Sequence, residues 1–165
     1  TKVSHGWIRK GQDREIPTTA SKTRMNILGA INLDNMSVVA KEYESNINGA
    51  SVVDFCNEIK ENYTDKQVIH LILDQAGYNK AAEVREHAFE LGIHLHYLPA
   101  YSPNLNAIER LWKVMNEETR NNVFFKTAKE FKSRMRKFIK DELPEILPNL
   151  RSRITDNFHI KKTAN

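Results

Sequence analysis

Two carboxylates in this sequence, Asp74 and Glu109, occupy positions from which they could bind a divalent metal ion together. Asp74 directly follows an apolar run, and ligands of open α/β sheets collect beyond the carboxyl ends of such strands. Glu109 borders the apolar face of a predicted helix, where a carboxylate is costly unless it is paired, hydrogen-bonded or bound to a cation. Carboxylate oxygens suit Mg²⁺ and Mn²⁺, and two such ions can stabilise both oxygens of a phosphoryl displacement. The pair therefore predicts metal-dependent phosphoryl transfer.

Each carboxylate also has an ordinary structural explanation. Asp74 could cap its own turn, formed by residues 74–77, at the end of the strand. Glu109 could complete a capping box with Asn106 or form a salt bridge with Lys113. Taken alone, the sequence leaves these alternatives open.

Three histidines, His70, His94 and His96, raise the question of a transition-metal site. His94 and His96 share one face of a predicted strand, because they are two residues apart. No third ligand has a diagnostic spacing, so we disfavour a zinc-type site here.

The segments around the carboxylates predict one α/β domain, a mixed sheet flanked by helices. The predicted strands cover residues 25–33, 37–43, 68–73 and 93–98. The predicted helices cover residues 50–63, 80–91, 105–120 and 127–143. The first two strands form an antiparallel hairpin. The run at 68–73 is continuously apolar apart from one histidine, which is typical of a parallel strand covered on both faces. Pro144 and Pro148 are expected to end the last helix.

The composition, with 28% charged and 40% hydrophobic residues, is that of an ordinary globular domain. No apolar run reaches the roughly 20 residues that span a bilayer, and no signal-peptide pattern opens the chain. The single cysteine, Cys56, cannot form an internal disulfide and falls in an apolar helical pattern, so we expect a buried thiol. These features favour a cytoplasmic setting and no membrane partner.

Positive charge is concentrated in one part of the chain. Residues 110–140 contain ten Lys or Arg against three Glu, which leaves 15 basic against 18 acidic residues elsewhere. Such asymmetry indicates a polyanionic partner, although two solvated faces would also explain it. The side chains that we expect to contact DNA phosphates are Arg110, Lys113, Lys132, Arg136 and Lys140.

Asp74 and the stretch LPAYSPNLNAIERLW, residues 98–112, together resemble the catalytic region of mariner-type transposases and their bacterial insertion-sequence relatives, the DDE endonucleases. The 34 residues between Asp74 and Glu109 are the spacing typical of that group. The stretch GWIRKGQ, with Trp7 and Gly11, matches the upstream tryptophan-and-glycine segment of the family. Within the motif, Tyr101 and Trp112 are expected to be packing residues rather than base-stacking platforms.

This resemblance implies an RNase H-like fold and divalent-metal catalysis by Mg²⁺ or Mn²⁺. It implies that Asp74 and Glu109 are catalytic metal ligands, and that the reaction is DNA strand cleavage and strand transfer at insertion-sequence ends. The expected partners are DNA and a second copy of the chain in a homodimer, with no small-molecule cofactor. A structure-selective RNase H-like nuclease unrelated to mobile DNA explains the fold but explains the motif less well.

The chain departs from the family pattern at three positions outside the carboxylates. Gln75 stands where an asparagine is usual, Asn79 where a histidine is frequent, and Ala107 where a proline is usual. None of the three is expected to bind metal directly.

A more serious departure concerns the family's first aspartate, which lies on a strand before the tryptophan segment. That first strand and the DNA-end-recognition domain are both expected to be missing from residues 1–165. Asp13 in a polar segment, Asp34 in a hairpin turn and Asp54 on a helix are poor substitutes. The alternative hypothesis is therefore a non-catalytic remnant that binds DNA or dimerises but does not cut.

Overall fold

The strands form two pairs in the computed structural model, which describes residues 9–11, 15, 17 and 23–155. Strands β1 (Asn26–Asn32) and β2 (Ser37–Tyr43) are antiparallel. Strands β3 (Ile69–Leu73) and β4 (Ile93–Tyr97) are parallel, with Ile69 opposite Ile93. Both strand pairings predicted from the sequence are thus confirmed, and the strand ends differ by at most one residue from those expected.

The helices lie close to their predicted positions. They are α1 (Gly49–Asn62), α2 (Ala82–Glu90), α3 (Ala107–Thr119), α4 (Ala128–Lys137) and α5 (Leu143–Ile146). The loop after β3 contains a short 3₁₀ turn at Gly77–Lys80, and the loop after β4 contains another at Pro103–Leu105. Helix α3 begins two residues later than expected because the Asn106 side chain caps it by accepting a hydrogen bond from the Ile108 N–H.

The prediction that Pro144 ends the last helix is wrong. Helix α4 continues through a π-helical segment, Phe138–Glu142, into α5 and then a 3₁₀ turn at Leu147–Leu150. Pro144 has no N–H to donate, and the wider π turn just before it, in which the Leu143 N–H bonds to the Phe138 carbonyl, accommodates the change of hydrogen-bond pattern.

Two hydrophobic clusters lie on opposite faces of the hairpin. The first joins α1 and α2 to β2 and β4, and its buried members are Val39, Val52, Phe55, Cys56, Ile59, Val84, Ala88 and Ile93. The second joins α3, α4 and the segment to Ile154, with Met36, Leu111, Val114, Met115, Met135, Phe138, Leu143, Leu147, Leu150 and Ile154. Burial raises the pKa of the Cys56 thiol to about 11, as expected for a cysteine in the core.

The prediction that β3 is covered on both faces is also wrong. Ile69 and Leu71 pack against the first cluster. On the other face, Ile72 is 60% exposed and His70 is exposed. The second helical layer packs on β1 and β2 instead. The side chains of β3 are therefore more exposed to solvent than its apolar sequence indicates.

A cavity of about 600 Å³ separates the two strand pairs. Every residue from Ile27 to Asp34 and from Val68 to Asp74 lines it. Because side chains alternate along a strand, unbroken runs of this kind mean that the edges of β1 and β3 both face the cavity. The hydroxyls of Ser37 and Tyr63 are hydrogen-bonded, which places the end of β1 near the start of β3. Within the described ranges, no helix is long and apolar enough to cross a membrane.

Candidate active site

Asp74 lies at the carboxyl end of β3, and its position is fixed by two hydrogen bonds. Its Oδ1 accepts from the Ala76 N–H at 3.0 Å and from the Asn79 side-chain amide at 2.8 Å. The first of these bonds is the self-capping turn that the sequence allows. The carboxylate is nevertheless exposed, and its second oxygen takes part in neither bond. Capping and metal binding are therefore compatible at this residue.

Glu109 lies in the first turn of α3 and is exposed. In the part of the chain that the structure describes, its side chain forms neither the capping box with Asn106 nor the salt bridge with Lys113. Asn106 instead caps the helix through the Ile108 N–H. A negative charge in the first turn of a helix interacts favourably with the helix dipole, so the position suits a carboxylate that has no ion-pair partner among the described residues.

Tyr78 connects the two carboxylates in space. Burial is the main cause of the raised pKa of its hydroxyl, and the negative charges of Asp74 and Glu109 raise that pKa further. All three residues line the same cavity between the strand pairs. The structure therefore brings the two carboxylates predicted from the sequence to one end of one cavity. Tyr78 was missed by the sequence analysis, where only its place four residues after Asp74 could have indicated it.

Two of the departures from the family pattern hold the loop around Asp74. Asn79 donates to Asp74, and its own backbone carbonyl accepts from the Tyr97 hydroxyl at 2.9 Å. Gln75 donates to the Leu98 carbonyl at 2.8 Å and thereby links the ends of β3 and β4. Asn79 thus orients the carboxylate directly, and Gln75 holds the backbone next to it.

The five basic residues expected at phosphates differ in how they are engaged. Arg136 forms a two-point ion pair with Glu42, at 2.7 and 3.1 Å, and Lys132 lies 4.0 Å from the same carboxylate. Arg110 donates to the Thr155 carbonyl at 2.7 Å. The two that are exposed and form no ion pair within the described residues are Lys113 and Lys140.

The three histidines lie closer together than the sequence indicated. Nδ1 of His70 and Nε2 of His96 are 2.9 Å apart, and the rings of His70 and His94 are 5.4 Å apart. The cross-strand register of β3 and β4 brings them onto the exposed face. Among the described residues, however, no group of three His, Cys, Asp or Glu side chains is arranged to hold a metal ion.

The other aspartates do not join the site. Asp54 is hydrogen-bonded to Lys41 and to the Tyr43 hydroxyl, so it belongs to a structural network on α1. Asp34 lies at the end of the cavity opposite Asp74, since the end of β1 faces the start of β3. Asp13 and Trp7 lie outside the described residues.

Trp112 and Tyr101 have opposite environments. The indole of Trp112 lies on Gly29 of β1, so close that an added Cβ would be 2.6 Å from the ring. The prediction that Trp112 is a packing residue is confirmed. The same prediction for Tyr101 is wrong, because this side chain is fully exposed.

The chain resembles known proteins in sequence and in fold. Residues 1–132 match the model of the DDE superfamily endonucleases. The "Insertion element IS630 uncharacterized 39 kDa protein" of Shigella sonnei is 26% identical over 125 residues, which cover 73% of this chain and 36% of that protein. The solved structure titled "Crystal structure of the Mos1 Strand Transfer Complex" matches with a TM-score of 0.58 and 14% identity, covering 93% of this chain and 49% of the other.

The structural match confirms the predicted RNase H-like α/β fold. The chain spans about a third of the length of the insertion-element protein and about half of the Mos1 chain.

Proposed function

The chain belongs to the DDE superfamily endonucleases, and on that premise we propose that it is the catalytic portion of an insertion-sequence transposase. Its reaction would be divalent-metal-dependent cleavage of DNA strands at the element ends, followed by strand transfer. The observation that carries this proposal is the common location of Asp74 and Glu109, whose charges both act on Tyr78 at one end of the cavity.

The donor set at this end of the cavity fits Mg²⁺ or Mn²⁺. Both side chains are hard oxygen ligands, both are exposed, and neither is neutralised by an ion pair within the described residues. A bound divalent cation supplies positive charge that stabilises the attacking and leaving oxygens of an in-line phosphoryl displacement. Asp74 and Glu109 are the residues that would hold it.

The surrounding side chains prepare the carboxylates for this role. Asn79 and the Ala76 N–H orient Asp74 through one oxygen and leave the other available. A tyrosine hydroxyl, with an ordinary pKa of about 10, is protonated at neutral pH, so Tyr78 can donate a hydrogen bond to a phosphate oxygen without adding negative charge.

A third carboxylate would come from the family's first strand, which the resemblance places before the tryptophan segment. We propose that this strand lies between β1 and β3, where both edges face the cavity. A strand there would run parallel to β3 and antiparallel to β1, because those two strands run in opposite directions. A residue at its carboxyl end would then lie beside Asp74.

A nicking assay tests the cleavage proposal. The 165-residue chain is compared with a protein extended at its amino end by a first strand that carries the family's aspartate, on plasmid DNA carrying the element ends with Mg²⁺ or Mn²⁺. We expect nicking by the extended protein, loss of nicking in Asp74→Asn and Glu109→Gln, and normal nicking in Asp34→Asn, which alters a carboxylate at the other end of the cavity.

Two results would count against these proposals. Cleavage by the 165-residue chain that depends on Asp74 would refute the need for the added strand. A folded extended protein that never cuts, although it carries the upstream aspartate, would refute the cleavage proposal and favour the non-catalytic remnant. Two carboxylates without a third in the described residues are what supports that second candidate.

We propose that DNA is contacted by Arg110, Lys113, Lys132, Arg136 and Lys140. Their contributions to DNA affinity should differ, because some of them already form ion pairs within the protein. Lys113 is exposed one turn after Glu109, so Lys113→Ala should lower DNA affinity and reduce the salt slope by about one. Arg136→Ala should have a smaller effect, because Glu42 already neutralises that guanidinium.

Homodimerisation and a cytoplasmic location remain part of the proposal, and sedimentation with and without DNA tests the dimer.

A further inference from the structure

Tyr101 has a conformation that its packing does not explain. Its φ is +58°, an unfavourable region for a bulky side chain, and the residue is fully exposed. The other non-glycine residues with positive φ in the described ranges have reasons for it: Met36 is held in the core, and Asn122 is a residue type that tolerates this conformation. Strained backbone of this kind is concentrated at functional sites.

The loop that carries Tyr101 is anchored at both ends. At its start, the Leu98 N–H donates to the Leu73 carbonyl at 2.9 Å. At its end, Asn106 N–H donates to the Pro103 carbonyl at 3.0 Å, and Asn106 caps α3. The strain at Tyr101 is therefore imposed by a fixed loop.

The same anchors place the two ends of this loop next to the elements that carry the candidate carboxylates. The loop leaves the sheet next to Leu73, the residue before Asp74, and enters α3 three residues before Glu109. The ring is thus exposed on the loop that runs from the end of β4, beside the end of β3, to the helix that carries Glu109. Among the described residues, the other strongly exposed aromatic side chain is that of Phe89, which is 80% exposed near the end of α2, the helix that leads into the opposite end of β4.

We propose that Tyr101 is a stacking platform for an unpaired base of the DNA bound at Asp74 and Glu109. The inference rests on the proposed function, because it takes DNA to be the ligand of this edge. Aromatic rings stack on any base, and exposed tyrosines add a hydroxyl that stays hydrated at the rim of the contact. A rigid ring next to a cleavage site would hold the terminal base away from its pairing partner and leave the neighbouring phosphate accessible.

The experiment compares binding of two short duplexes that differ only at one end, in Ca²⁺ to support binding without relying on cleavage. One duplex is blunt, and the other ends in an unpaired 2-aminopurine whose fluorescence falls when it stacks. The proteins are the wild type, Tyr101→Phe, Tyr101→Ala, Tyr101→Asn and the control Phe89→Ala. Thermal unfolding of each variant checks folding, and Asn is included because it accepts a positive φ without supplying a ring.

We expect the wild type, Tyr101→Phe and Phe89→Ala to bind the frayed duplex at least about fivefold more tightly than the blunt one, with quenched fluorescence. Tyr101→Ala and Tyr101→Asn should lose both the preference and the quenching, yet still bind both duplexes in a salt-dependent way. Retention of the preference in Tyr101→Ala would overturn the stacking proposal alone. Absence of salt-dependent binding by the wild type to either duplex would overturn the DNA-binding proposal and this inference with it.

Discussion

The side-chain amide of Asn79 donates a 2.8 Å hydrogen bond to Oδ1 of Asp74, the carboxylate at the end of β3. The bond holds one oxygen towards the turn and leaves the other for a ligand. Asn79 therefore determines which way a proposed metal ligand points. Groups that orient metal ligands in this way typically change metal affinity or activity by about 10- to 100-fold when they are removed.

We expect Asn79→Ala to weaken Mn²⁺ binding by about tenfold while the protein remains folded. Calorimetric titration of Mn²⁺ measures the affinity, and thermal unfolding gives the matched measure of stability. Asn79→His should retain most of the affinity, because an imidazole N–H can make the same donation. Equal Mn²⁺ affinity in the wild type and Asn79→Ala would show that Asn79 has no positioning role.

The elements around the site could be predicted because their signals are local. The apolar run before Asp74 and the one after Gly92 predict the β-α-β unit, and Gly92 itself is required: its φ is +72°, and an added Cβ would lie 2.4 Å from the Gln67 carbonyl. Helix α3 followed from its spacing of apolar residues. Because Asn106 caps this helix, it starts two residues later than the sequence predicted.

The sequence could not predict which helices pack on which face of each strand pair. The apolar character of Ile72 indicated burial, but the second helical layer packs on the hairpin and leaves this residue 60% exposed. The contact between His70 and His96 depends on strand register, which no spacing along the chain reveals. The exposure of Tyr101 could not be predicted either. It accompanies a positive φ that only the folded loop reveals.

The Tyr78 hydroxyl reports the charge at the proposed site. Because the charges of Asp74 and Glu109 raise its pKa, Asp74→Asn and Glu109→Gln should each lower that pKa towards the ordinary value of about 10. Burial, the largest cause, persists in both variants, so the pKa should stay somewhat above the ordinary value. NMR of ring-labelled tyrosine resolves this residue from the other four tyrosines.

The control is Asp65→Asn, which alters an exposed carboxylate paired with Lys66 and should leave the pKa of Tyr78 unchanged. An unchanged pKa in Glu109→Gln would contradict the shared location of the two carboxylates.

Glu109 should be dispensable for stability. It is exposed and has no ion pair within the described residues, so Glu109→Gln should change the free energy of unfolding by no more than about 0.5 kcal/mol. Urea unfolding measures this. A loss well beyond that value would mean that Glu109 has a structural partner, and its assignment as a ligand would weaken.

Acid sensitivity should come partly from Asp54. The hydrogen bond from Lys41, and then that from Tyr43, lower the pKa of this carboxyl below its usual value. A lowered folded-state pKa contributes stability above the unfolded pKa of about 4, and that contribution is lost as the pH falls through the folded value. The Asp54 side chain is 48% exposed, so screening limits the contribution to about 1 kcal/mol or less.

The change in melting temperature between pH 7 and pH 3 should therefore be smaller in Asp54→Asn than in the wild type. Asp34→Asn is the control, because the hydrogen bonds from Lys41 and Tyr43 go to Asp54 and not to Asp34. An identical loss of stability in acid for Asp54→Asn and the wild type would show that this network does not contribute.

Trp112 fixes the helix that carries Glu109, because its indole lies directly on Gly29 of the neighbouring strand. An added Cβ at Gly29 would be 2.6 and 2.7 Å from two ring atoms, so Gly29→Ala should destabilise the protein by about 1–3 kcal/mol through overpacking. Trp112→Leu removes the ring and should make Gly29→Ala much less costly. Urea unfolding of the two single variants and the double variant gives the coupling energy, which we expect to be at least about 0.5 kcal/mol. Additive effects would mean that the helix is held against β1 by other contacts.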